Sequence, residues 1–192
     1  LARRVGAVVV SPDYRLAPEH PFPAATDDTV AAVRWAADDI TEFGGDPERI
    51  AVAGESAGAN LAAVVALRLR DEGGPQLRAQ VLITPPVDFL ADTESRRQFA
   101  HGPIISMELA MRMASLYLGD PANAVSPHAS PARAEDLSGL PPALIVTMEI
   151  DPTRDEAENY AQALATAGVP TVCQRIDGLC HAAFELSGAI PR

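Results

Sequence analysis

Only two cysteines occur in the 192 residues, Cys173 and Cys180, too few for a disulfide framework. Neither stands with a second Cys or a His set at metal-ligand spacing. They read as free thiols in a reducing, cytoplasmic compartment, and no metal or cofactor is expected. Positive charge is scarce as well: 15 Lys and Arg face 26 Asp and Glu, for a formal net charge of −11. That balance argues against sequence-independent binding of nucleic acid, which needs a basic surface. It equally disfavours attraction to an anionic membrane. No apolar stretch reaches the length of a membrane span. No secretory leader is visible in Leu1-Ala2-Arg3-Arg4, and internal repeats and low-complexity tails are absent. What is present is a chain that is 47% hydrophobic, dominated by Ala and Val and long enough for one domain with a substantial core.

Apolar runs alternate with helical periodicity. Val5–Val10 is a β-branched run closed by Ser11-Pro12 and reads as a buried strand. A Pro-rich loop, residues 13–23, follows. Thr26, Asp27 and Asp28 then supply an N-cap and an acidic first turn for a helix reaching Ile40, with Val30, Val33, Ala37 and Ile40 inward. Gly44-Gly45-Asp46-Pro47 marks a turn. Residues 49–53 read as a second buried strand, residues 57–69 as a helix and residues 79–84 as a strand. Residues 85–142 differ in character, carrying eight of the seventeen prolines. In this segment Ser106 caps a short helix whose Met107, Met111, Leu116 and Leu118 are expected to face the core or a ligand. Residues 143–149 form a buried strand, residues 153–167 a helix stopped by Gly168 and Pro170, and residues 171–176 the last strand. The βαβ alternation predicts an α/β fold, a mostly parallel sheet with helices on both faces. The whole chain, 1–192, reads as a single domain with a cap-like insertion at about 85–142.

The chemistry concentrates at Gly54-Glu55-Ser56-Ala57-Gly58. A G-x-S-x-G pentapeptide between a strand and a helix forms a tight turn that strains the serine backbone and lifts its oxygen above the sheet. The flanking glycines remove side chains that would clash there. Alone, the pentapeptide arises by chance in a Gly- and Ala-rich chain, and a serine at a helix start is commonly a plain cap. The strand–turn–helix context favours a nucleophile, with the N–H of Ala57 at the helix N-terminus as an oxyanion donor.

A serine nucleophile needs a base, and the base an orienting carboxylate. In parallel α/β sheets, reactive groups sit just past the carboxyl ends of strands. That rule selects Asp151 and His181, giving the order Ser56, Asp151, His181. Asp155 falls inside the predicted helix and is expected to support its first turn. Asp177 is expected to shape a loop with Gly178. His20, His101 and His128 lie in Pro-rich segments, and only His181 follows a terminal strand.

These residues and their neighbours resemble the bacterial hormone-sensitive-lipase-like family of α/β-hydrolase carboxylesterases. The resemblance is carried by Asp13-Tyr14-Arg15-Leu16-Ala17-Pro18-Glu19-His20-Pro21-Phe22-Pro23-Ala24, by the elbow, and by Ser138-Gly139-Leu140-Pro141-Pro142-Ala143-Leu144-Ile145. It extends to Asp151-Pro152-Thr153-Arg154-Asp155-Glu156 and Gly178-Leu179-Cys180-His181. It implies Ser56 as nucleophile, Asp151 as orienting acid, His181 as general base and short- to medium-chain carboxylic esters as the small-molecule substrates. It also implies structural roles for Tyr14 and Arg15. Departures are Thr153 where Leu is usual, Ala182 where Gly often follows the histidine, and Glu55 where Asp is more usual. The family's His-Gly-Gly-Gly motif is missing, and with it most of the oxyanion hole. So are part of the cap, a strand between the Val5–Val10 and residue 49–53 strands, and a final helix. The expectation is therefore a fragment truncated at both ends, nearly inactive alone. An amide or lactone hydrolase shares the same chemistry. A non-catalytic binding protein on this fold is a further class, which an intact Ser56, Asp151 and His181 speaks against.

Overall fold

A computed structural model describes residues 2–184. Four parallel strands form its sheet in the order β1-β2-β3-β4, flanked by helices. The elements run α1 (Ala2–Val5), α2 (Ala24–Asp39), β1 (Ala51–Glu55), α3 (Ala57–Asp71), β2 (Ala79–Ile83), α4 (Glu94–Gln98), α5 (Met107–Leu118), β3 (Ala143–Ile150), α6 (Arg154–Thr166) and β4 (Thr171–Cys180).

Side chains alternate across the sheet as the pleat requires. Val52, Leu82, Ala143 and Ile145 enter the main core with α2, α3 and α6. Ile83, Leu144, Val146 and Met148 belong to a smaller cluster with Ile176, Leu179 and Ala183. Helix α3 is apolar over most of its circumference, and every residue from Ala59 to Leu67 is buried. A helix hydrophobic all round belongs inside, and its many alanines let it lie close to β1 and β2. Tyr160 and Leu164 of α6 fill the neighbouring part of that core.

Three local expectations are corrected. Residues 7–10 make no ladder, and Val8, Val9 and Val10 are exposed, while Ala2–Val5 coil into a helical turn. A β-branched run becomes a strand only beside a partner, and no described strand lies next to it. The second run begins at Ala51, because Pro47–Arg49 form a 3₁₀ turn capped by the Asp46 carboxylate. Only Val52 of β1 is buried, since β1 is the edge of the described sheet. Helix α2 starts at Ala24 rather than after Thr26. Thr26 instead donates its hydroxyl to Pro23 O at 2.6 Å, inside the first turn.

The segment 85–142 builds a third small cluster of Leu118, Ala124 and Ala129, against which Phe22, Phe89 and Tyr117 pack. Ser106 caps α5 as expected, accepting from Leu109 N–H. The expected inward face of α5 is a correction: Leu118 is buried, but Met111 and Leu116 are exposed. Sequence periodicity shows that one face of α5 is apolar, not that something covers it. No helix among the described residues is long and apolar enough to cross a membrane.

Candidate active site

Ser56 sits between β1 and α3 with φ 53° and ψ −118°, a positive φ that costs an L-residue energy. Two contacts impose it. Its N–H donates to Ile83 O on β2 at 2.8 Å, and α3 begins at the next residue. The turn is tight enough that a Cβ on Gly54 would lie 2.2 Å from the Gly58 backbone. The two glycines are not equivalent, however: a Cβ on Gly58 meets nothing within 4 Å. The clash expected on both sides is thus confined to Gly54. Ala59 and Asn60 N–H turn back to Ser56 O. The N–H of Ala57 opens α3, where the helix dipole favours negative charge.

Asp151 and His181 come from the ends of β3 and β4, and both are buried. His181 Nε2 lies 2.8 Å from Ser56 Oγ, and His181 Nδ1 lies 2.8 Å from Asp151 Oδ2. The structure thus brings together the three side chains selected from the sequence, although Ser56 and His181 are 125 positions apart. Past Met148 the β3–β4 register shifts, because Met148 faces Ile176 while Ile150 faces Cys180. The extra residues of β4 include Gly178, at φ +73°, whose N–H donates to Glu149 Oε2 at 2.6 Å. This bulge carries β4 to Cys180, beyond the Ile176 end expected from the sequence, and aims His181 over the sheet edge. Ala182 then holds φ +60°, which is why glycine suits that position.

The other acids and histidines lie elsewhere. Asp177 is exposed in the bulge, His20 and His101 are exposed, and His128 is half-buried. Asp155 does not act on its own helix alone. Its carboxylate accepts Ser95 N–H at 2.7 Å, and its own N–H donates to Ser95 Oγ at 3.1 Å. The starts of α4 and α6 thereby cap each other. Burial raises the Asp155 carboxyl, but the Ser95 N–H and Arg154 outweigh it and hold the group below its ordinary value.

Several supports escaped the sequence reading. The Asp151 Oδ1 accepts both the N–H and the hydroxyl of Thr153, at 2.8 and 2.9 Å. Asn60 on α3 donates to Pro86 O and Ala129 O, both at 2.8 Å, tying the elbow helix to the segment after β2. Glu156 on α6 is buried; it accepts Val87 N–H at 2.9 Å and Arg96 Nε–H at 2.8 Å. Arg96 in turn donates to Ala91 O and Asp88 O. Burial pushes the Glu156 carboxyl up to about 7, against the pull of Arg96 and the Val87 N–H. A lone Asn in an apolar helix stands out in a sequence, but its partners do not, and nothing in the acidic run around Glu156 marks that carboxylate as buried. Arg15, from the segment that carried much of the resemblance, forks onto Asp28 of α2 at 2.7 and 2.9 Å. Together with the backbone N–H of Arg15, this draws the Asp28 carboxyl down to about 2.

A family model described as alpha/beta hydrolase fold matches residues 1–185. Esterase LipI of Mycobacterium tuberculosis is 43% identical over 187 residues, covering 96% of this chain and 58% of that protein. An arylesterase of Saccharolobus solfataricus is 40% identical over 183 residues, covering 95% and 60%. The solved Pyrobaculum calidifontis esterase superposes with a TM-score of 0.94 at 47% identity, covering 98% of this chain and 63% of that one. The chain spans about three fifths of the length of these relatives.

Proposed function

The chain belongs to the alpha/beta hydrolase fold family, and from that premise we propose that it carries the catalytic triad of a carboxylic ester hydrolase of the hormone-sensitive-lipase-like type. One observation carries the reading: the continuous hydrogen-bonded line from Ser56 Oγ through His181 to Asp151, set on three strand ends. The relatives named as esterases support the choice of esters.

His181 Nε2 takes the Ser56 proton as Oγ attacks the ester carbonyl. The tetrahedral oxyanion draws on the N–H of Ala57 among its donors. Asp151, bound to Nδ1, keeps the imidazole in the tautomer whose Nε2 is free to accept, and it stabilises the imidazolium that forms. His181 then protonates the departing alcohol; in the second half water gives a proton to His181 as it attacks the acyl carbonyl, and that proton returns to Ser56 Oγ as the carboxylic acid leaves. The substrates are short- to medium-chain esters. Residues 85–142 serve as part of a cap beside the site within a single domain. The free thiols of Cys173 and Cys180 support a reducing, cytoplasmic setting.

The test is Ser56→Ala in a full-length version, assayed on a short-chain chromogenic ester. Turnover is expected to fall on the order of a millionfold with the thermal transition preserved. A phosphonate that esterifies activated serines is expected to label Ser56 in the unmodified chain and nothing in the variant, read by peptide mass. Activity within tenfold of wild type in a folded variant would rule out this nucleophile.

A further inference from the structure

We propose that Thr153 is a positioning residue, whose hydroxyl orients the Asp151 carboxylate toward His181. The inference rests on the catalytic reading above and adds to it a residue that acts through Asp151.

The Asp151 carboxylate is fully buried, so its lone pairs must be satisfied by protein groups. Its two oxygens divide the work. Oδ2 meets His181 Nδ1 at 2.8 Å. Oδ1 accepts the Thr153 N–H at 2.8 Å and the Thr153 hydroxyl at 2.9 Å. Two donors on one oxygen resist rotation about the Cβ–Cγ bond, which would otherwise turn Oδ2 away from the imidazole. They also hold part of the carboxylate charge on Oδ1, and this limits how strongly Oδ2 binds the imidazole proton.

Thr153 occupies the N-cap of α6, where a threonine hydroxyl ordinarily accepts an N–H from the first turn. It makes no such bond here. The hydroxyl is turned away from its own helix and donates to Asp151 instead. The residue is itself buried, with 6% of its surface exposed, so bulk water does not replace the hydroxyl. Any residue except proline at this position would keep the N–H contact, but only Thr or Ser brings the second donor.

The experiment compares Thr153→Val, which keeps shape and removes the donor, with Thr153→Ala and Thr153→Ser. Two readouts are taken on each. The first is the proton resonance of His181 Nδ1, recorded also in a Ser56→Ala background, where no turnover is needed. The second is the pH profile of kcat/KM on a short-chain ester. In Thr153→Val and Thr153→Ala the resonance is expected to move and the acidic limb to rise by a few tenths of a pH unit. kcat should fall about three- to tenfold with KM unchanged. Thr153→Ser should restore all three. If both donor-free variants merely melt earlier, with resonance and limb at their wild-type positions, Thr153 is structural and the proposal falls. If the resonance moves while Ser56→Ala keeps full turnover, the coupling stands and the esterase reading fails.

Discussion

Three described residues with side chains hold positive φ: Ser56, Thr84 and Ala182. Each lies just past the carboxyl end of a strand, after β1, β2 and β4 respectively. Strain of this kind persists only where the surroundings over-determine it, and it gathers at working sites. Thr84 donates its N–H to Val146 O while its buried hydroxyl has no partner among the described residues. Packing and strand pairing hold it there at a cost. The elbow shows how narrowly such strain is supported. Gly54→Ala would drive a Cβ to 2.2 Å from backbone atoms, and backbone cannot yield as a side chain tip can. We expect a loss of about 3 kcal/mol or more together with loss of ester turnover. Gly58→Ala places its Cβ in open space on a helix, and a gain of up to about 1 kcal/mol is expected. Thermal melts of the two variants check the contrast, and equal losses would contradict it.

At the level of elements, the site depends on how α6 is docked. Its first turn sends Asp155 to Ser95 and Glu156 to Arg96 and Val87, fastening α4 and the segment after β2 to the helix that follows Asp151. The Glu156 clamp carries a pH signature. Its carboxyl titrates near 7 in the folded chain because burial penalises the charge, and near the ordinary value, about 4.3, when unfolded. Between those values the folded state binds the proton more tightly than the unfolded state. The contribution of this group to stability is therefore present at low pH and lost as pH rises through 7. Glu156→Gln cannot titrate, and near pH 5 it stands in for the protonated carboxyl, so the cost there should stay within about 1 kcal/mol. Toward pH 8 the wild type should lose about 1–3 kcal/mol relative to the variant, as its buried carboxyl takes on charge. Urea unfolding at both pH values reads this directly, and a wild type that gains on the variant toward pH 8 would reverse the assignment.

Across the whole molecule, apolar side chains remain in water on more than one side of α5, at Leu109, Met111, Met113 and Leu116. Others are exposed at Val8–Val10 and at Val172 on β4. Patches of this kind promote association, and β1 and β4, the edges of the sheet among the described residues, add unpaired backbone. A net charge of −11 opposes it, but at physiological salt such repulsion is screened beyond about 8 Å. The short-range apolar term should win. This chain, purified alone, is expected to self-associate at micromolar concentrations, more strongly as salt is raised. Replacing Met111 and Leu116 by Lys should reduce the sedimenting mass without changing the far-ultraviolet spectrum. A monomer indifferent to salt would show that the exposed faces are harmless.

Local physics made much of this protein legible from its residues. The elbow, the α/β alternation, the helices after β1 and β3, and the chain order Ser56, Asp151, His181 follow from periodicity, glycine placement and the habit of parallel sheets to present reactive groups at strand ends. Where a property belongs to a pair, the sequence carried only half of it. Val5–Val10 has strand composition but no described neighbour to bond. The apolar side chains of α5 are real, yet Leu109, Met111, Met113 and Leu116 lie in solvent. Asp155 looks like a helix-start acid and proves to cap a different helix. The bulge that aims His181 arises from two strands of unequal length running side by side. Whether the hydroxyl of Thr153 caps α6 or braces Asp151 was settled by what stood 2.9 Å away. A residue's type sets which interactions it is able to make, and only the folded chain decides which partner is within reach.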